Sequence, residues 1–64
     1  MIVNGKEMTL EENSNVIDLL NKLNLDEEKV VVEINMEIIS KEVYSERILN
    51  DDDKIEIVGF IGGG

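Results

Sequence analysis

"MIVNGKEMTL", residues 1–10, holds an Asn-Gly pair between two extended runs, and its reading decides where the fold begins. Both residues tolerate positive φ, as a two-residue type I′ turn requires, so the stretch predicts a β-hairpin. With Asn4 and Gly5 as the turn, Val3 faces Lys6 and Met1 faces Met8. Strand alternation then sets Met1, Val3, Met8 and Leu10 on one face and Ile2, Glu7 and Thr9 on the other. The first of these faces is apolar and needs a cover.

The next segment supplies one. In "EENSNVIDLLNKLNL", residues 11–25, Val16, Leu19, Leu20 and Leu23 fall at i, i+3, i+4 and i+7, which is one apolar stripe of a helix. The spacing predicts an amphipathic helix of about three turns, capped by Asn13 or Ser14, with Asp18 placed to suit the positive end of the helix dipole. "EEKVVVEIN", residues 27–35, is β-branched and too short for a helix, so it reads as a strand. Beyond it the chain predicts a short extended piece around Ile38 and one irregular helical turn over residues 43–46. A last strand runs from Lys54 to about Phe60, with Ile55 and Ile57 on one parity and Glu56, Val58 and Phe60 on the other. If this strand pairs beside the first, a mixed sheet of four to five strands grips one main helix and each buries the other's apolar face. The expected fold class is therefore α+β, the β-grasp (ubiquitin-like) arrangement, over residues 1–61, with residues 62–64 as a flexible glycine tail.

Composition removes most enzymatic chemistry. At 64 residues the chain is one domain, near the lower size at which packing alone stabilises a fold. It has no cysteine and no histidine, so disulfides, thiolate or imidazole metal sites, and cysteine- or histidine-driven nucleophilic catalysis have no residues to use. Tyr44 and Phe60 are the only aromatics, so the core should be aliphatic. Six basic against fifteen acidic residues give a net charge of −9. That balance argues against nucleic acid and anionic membranes and favours a basic protein partner. No leader-like segment opens the chain and no apolar run approaches the roughly 20 residues of a membrane span, so the expected location is the cytoplasm. With fifteen carboxylates some pair will always be close, and none stands out as an acid–base couple. The clusters Asp26-Glu27-Glu28 and Asp51-Asp52-Asp53 lack the alternating spacing and central glycine of a calcium loop and read as solvated turns.

The chain closes on "VGFIGGG", residues 58–64. No helix and no lysine-serine pair follow these glycines, so they are not a phosphate-binding loop. Three residues without Cβ can reach about 10 Å beyond the last paired residue and thread a channel too narrow for side chains. At the tip they would deliver an α-carboxylate, a nucleophile towards the α-phosphate of ATP. The competing reading is a frayed end.

With this ending, the hairpin, the "VIDLL" helix start, the "EIN" strand end and the acidic turn before the last strand, the whole chain resembles the ThiS family of sulfur carriers in thiamine (thiazole) biosynthesis. The resemblance implies that the Gly64 carboxylate is adenylated with ATP by a ThiF-type activating enzyme. Sulfur-relay proteins then bring sulfur to make it a thiocarboxylate, and a ThiG-type thiazole synthase consumes that sulfur. It implies that Gly62 and Gly63 are the threading tail, that the chain is mature in length, and that it is a protein cosubstrate, monomeric when free, binding no cofactor or metal itself. The residues add a partner-binding surface: Val58, Phe60 and Ile61 beside the tail, extended by Ile2, with Glu7 and Glu56 steering a basic partner. Alternatively Phe60 folds over the sheet end. Two rivals share the adenylate chemistry, the small subunit of molybdopterin synthase and a ubiquitin-like protein modifier. The molybdopterin subunits are usually longer and often carry a proline before the diglycine, whereas this chain has no proline. A binding module with an inert tail is a further alternative, and a β-grasp ferredoxin is excluded by the missing cysteines.

Overall fold

Asparagine-led turns fold the chain into its two hairpins. The computed structural model describes residues 1–59. Asn4 (φ 51°) and Gly5 (φ 82°) join strand β1 (Ile2–Val3) to β2 (Lys6–Glu7), in the predicted register of Val3 against Lys6 and Ile2 against Glu7. Asn35 (φ 51°) and Met36 (φ 72°) make the same kind of turn between β3 (Val30–Ile34) and β4 (Glu37–Ile39). The last strand, β5 (Lys54–Gly59), lies between the hairpins, parallel to β1 and antiparallel to β3. The five strands run in the order β2-β1-β5-β3-β4, a mixed sheet that covers one helix as expected.

That helix, α1 (Val16–Lys22), is seven residues long, about two turns rather than three. Its cap is Asn15, not Asn13 or Ser14. The Asn15 side chain accepts from the Asp18 N–H at 2.8 Å while the Asp18 carboxylate accepts from the Asn15 N–H at 2.9 Å, a reciprocal capping box. Asn13 (φ 65°) and Ser14, whose hydroxyl donates to the Glu11 carbonyl at 2.7 Å, are both occupied by the preceding turn. At the other end Asn24 takes a left-handed φ of 59°, and the N–H groups of Leu25 and Asn24 return to the carbonyls of Leu20 (2.9 Å) and Asn21 (3.1 Å). This Schellman closure ends the helix just before Leu23, the last residue of its apolar stripe.

Val16, Leu19 and Leu20 are buried against Val3, Val32, Ile34, Ile55 and Ile57, with Met8, Leu10 and Leu23 packed at the margin. The inward parity of Ile55 and Ile57 is as predicted. The core is aliphatic except for Tyr44, which is buried after the single-turn 3-10 helix Lys41–Val43. That turn begins two residues earlier than the sequence suggests, because Ser40 caps it through the Glu42 N–H, and it continues as hydrogen-bonded turns to Arg47.

The second acidic cluster is not a wholly solvated turn. Asp51 and Asp52 are exposed, but Asp53 is 4% exposed, the one buried charged side chain among the described residues. Burial of a carboxylate is tolerated only where hydrogen bonds replace water, and Asp53 has three such partners, described below. Asp26, in the first cluster, caps a 3-10 turn, Glu27–Lys29, through the Glu28 N–H at 2.9 Å.

Candidate functional site

The strand that leads to the glycines is clamped at both edges by turn asparagines. On one side the Asn4 side-chain oxygen, Oδ1, accepts from the Ile57 N–H at 2.7 Å, and the Asn4 backbone N–H donates to the Ile55 carbonyl at 2.8 Å, so the turn residue extends the β1–β5 pairing past the end of β1. On the other side the Asn35 side chain accepts from the Lys54 N–H at 3.0 Å while its backbone N–H donates to the Lys54 carbonyl at 2.8 Å. The sequence reading gave these asparagines a turn role or none. Their second role depends on residues 19 and 53 positions away, and no local pattern carries it.

Asn35 is held in turn by Asp53, whose carboxylate accepts from the Asn35 amide (2.9 Å) and the Asn50 N–H (2.8 Å), with the Arg47 guanidinium at 3.4 Å. Arg47 also donates to the Ile48 carbonyl. Burial pushes the Asp53 carboxyl up, but the Asn50, Asn35 and Arg47 contacts together outweigh it and hold the group below the ordinary aspartate value. Backbone contact from the Ile2 N–H to the Asp53 carbonyl (3.0 Å) ties the start of β1 to the same point. The origin and direction of β5 are thus set by one buried carboxylate and two asparagines.

The outward face of the sheet carries the predicted grip residues in part. Val58 is 62% exposed, and directly across β3 stands Val31, 39% exposed. One step further from the tail, Glu56 lies opposite Glu33, and Ile38 of β4, 73% exposed, lies opposite Glu33 on its other side. Ile2 does not extend the Val58 patch. Its register partner is Lys54, four residues back along β5, and it is half-buried. The parallel β1–β5 register separates the two, and Glu7, opposite Ile2, pairs with the amino terminus at 3.1 Å. Val31 and Ile38, which the sequence reading placed on extended segments but not on this surface, are the exposed apolar neighbours here instead. The signal for Val31 was the strand parity, since Val31 and Glu33 alternate with the inward Val30, Val32 and Ile34.

Phe60, Ile61, Gly62, Gly63 and Gly64 lie outside the described residues. Among the described residues no group of three or more histidine, cysteine, aspartate or glutamate side chains could hold a metal ion. No helix among them is long and apolar enough to cross a membrane.

The model of the ThiS family matches residues 1–64, the full span from hairpin to glycines. The chain belongs to the ThiS family. It is 48% identical over 63 residues to the sulfur carrier protein ThiS of Bacillus subtilis, covering 97% of this chain and 96% of that protein. The crystal structure of the thiamine biosynthesis protein ThiS from Geobacter metallireducens superposes with a TM-score of 0.82 at 38% identity, covering 98% of this chain and 96% of that one, which establishes the β-grasp fold. A thiazole synthase of Paramagnetospirillum magneticum is 45% identical over all 64 residues, but this ThiS-family chain spans only 20% of that protein's length. A second thiazole synthase, from Magnetococcus marinus, shows the same relation at 40% identity and 19% of its length.

Proposed function

We propose that this chain is a sulfur carrier of thiamine biosynthesis whose reactive group is the carboxylate of Gly64. The observation that carries this reading is the family match over residues 1–64, which includes the three closing glycines. A terminal carboxylate has a pKa near 3.5 and is ionised at neutral pH. In a ThiF-type enzyme its oxygen attacks the α-phosphorus of ATP, pyrophosphate leaves, and an acyl adenylate forms. A relay protein's persulfide then attacks the carbonyl carbon and AMP leaves, giving an acyl disulfide; a second thiol cleaves its S–S bond by exchange, releasing the thiocarboxylate and a disulfide on the relay side. The ATP site and the sulfur source belong to the partners, and the chain acts as a protein cosubstrate, not as an enzyme.

In this reading the labour is divided along the end of the chain. Gly62 and Gly63 supply a tail without side chains, and β5 aims it. Val58, Phe60 and Ile61 supply grip beside it. The consumer of the sulfur is a ThiG-type thiazole synthase, a reading supported by the two thiazole synthases that contain a segment similar to this whole chain. The free chain is a cytoplasmic monomer.

The test is the intact mass of the chain after incubation with the activating enzyme, ATP and a sulfur donor. The expected gain is that of one sulfur replacing one oxygen, absent from a variant lacking residues 62–64. An unchanged mass with an activating enzyme that is active on another carrier overturns the reading. Phe60→Ala should weaken binding to the partners while leaving the thermal transition in place; loss of folding would assign Phe60 to the core.

A further inference from the structure

Strand β5 is not held equally along its two edges. On the β3 edge the pairing runs to the last described residue, Val30 against Gly59, whereas on the β1 edge the register stops at Val3 against Ile55. Beyond Ile55, the hold on that edge among the described residues is the hydrogen bond from the Ile57 N–H to Asn4 Oδ1, 2.7 Å long and made across 53 positions of sequence. The hairpin itself does not ask for this side chain. Asp-Gly or Gly-Gly serves a type I′ turn as well as Asn-Gly does. What Asn4 adds is a short acceptor on a residue that tolerates a φ of 51°, and glycine has the second property without the first. Gly64 stands seven residues beyond Ile57, at most about 23 Å of extended chain. Over that length a tilt of about 5° at Ile57 moves the tip by about 2 Å. A misplacement of about 1 Å can slow a reaction about a hundredfold.

We propose that Asn4 is a positioning residue for activation of the terminal carboxylate: its side chain fixes the heading with which β5 leaves the sheet, and so where Gly64 arrives in the activating enzyme. The proposal rests on the carrier reading above and gives its chemistry a residue at the opposite end of the chain. Asn4 touches neither ATP nor the carboxylate. It acts through Ile57, by holding the β1 edge of β5 where β1 has already turned away. A strand held along one edge can swing about that edge. Each swing from the productive heading lowers the fraction of docked chains whose carboxylate lies in line with the α-phosphorus. Docking of the folded body is unaffected, so the loss falls on turnover and not on affinity.

The experiment measures chain-dependent exchange of pyrophosphate into ATP by the activating enzyme, over a range of chain concentrations and well below the Tm of every variant. Asn4→Gly suits the turn and removes the acceptor, while Asn4→Asp keeps an acceptor oxygen in the same place. Asn4→Gly should lower kcat and kcat/KM together by about tenfold, with KM within about twofold of wild type. Asn4→Asp should keep kcat within about threefold of wild type. A lower Tm for Asn4→Gly with unchanged kcat shows that the bond serves folding only and overturns the proposal. So does a rise in KM at constant kcat, which makes Asn4 a contact of the enzyme, and so does a loss in Asn4→Asp as large as in Asn4→Gly. The mass assay on wild type separates these results from failure of the carrier reading. A chain that gains sulfur while both Asn4 variants turn over normally sinks the positioning role alone, and a chain that is never modified sinks both.

Discussion

The two hairpins of this sheet turn on the same backbone geometry with unequal residues. Asn4-Gly5 is the favoured pair for a type I′ turn, whereas Asn35-Met36 places a methionine at φ 72° where glycine is preferred. Each hairpin lends an asparagine side chain to β5, on opposite edges. Only the second is anchored by a buried charge, since Asp53 holds the Asn35 amide and Asn50 and contacts Arg47. The difference teaches that a tertiary hydrogen-bond cluster can fix a turn whose own residues do not favour it. The first hairpin is specified locally, the second from a distance.

The largest effect should therefore come from removing the distant anchor. Asp53→Ala leaves the Asn35 amide, the Asn50 N–H and Arg47 without their acceptor and should cost about 2–3 kcal/mol in urea unfolding. Hydrogen exchange should quicken first at Asn35, Asn50 and Lys54, with the β1–β2 turn less affected. A loss equal at both hairpins would break the comparison. The same anchor sets an acid limb. Because the folded Asp53 pKa lies below its ordinary value, its contribution is fully present above the unfolded pKa of about 3.9 and is lost as pH falls through the lower folded value. Asp53→Asn should start less stable at neutral pH and lose less of its stability on acidification below about pH 4 than wild type. An unchanged slope there would mean that Asp53 does not carry the acid limb.

Next in size are the asparagines themselves. Asn35→Ala removes two side-chain hydrogen bonds and puts alanine at positive φ, an expected loss of about 2 kcal/mol. Asn4→Ala removes one hydrogen bond at a similar φ, an expected loss of about 1 kcal/mol. Paired denaturant titrations decide the order. If Asn4→Ala proves the costlier, the parallel β1–β5 side and not the Asp53 cluster is the stronger clamp on β5.

This asymmetry also explains what the sequence disclosed. The Asn4-Gly5 hairpin, its register, the apolar stripe of Val16, Leu19 and Leu20, and the inward parity of Ile55 and Ile57 were legible because each is a local pattern with a fixed period. The helix came out a turn short because its ends are set by asparagine conformations at Asn15 and Asn24 that compete with the stripe. The buried role of Asp53 was hidden in a run of three identical residues, of which only the third points inward to partners at Asn35, Asn50 and Arg47. At the candidate site, parity placed Val58 outward correctly. The link to Ile2 failed because a parallel register cannot be read from either strand alone, and the Val58–Val31 pairing became visible only with β3 aligned against β5.

The smallest effect is the most pointed test of the comparison, because it concerns the residue by which the two turns differ. Met36 is 86% exposed, so its side chain contributes little packing to offset its left-handed backbone. Met36→Gly should stabilise the chain by about 0.5–1 kcal/mol, while Gly5→Ala, with open space around the new Cβ but φ at 82°, should destabilise it by about 1 kcal/mol. Opposite signs at equivalent positions would show that backbone conformation alone separates the two turns. A loss for Met36→Gly would instead mean that the turn is held through the methionine side chain. The Asp53 cluster would then be supporting that contact and not compensating for its absence.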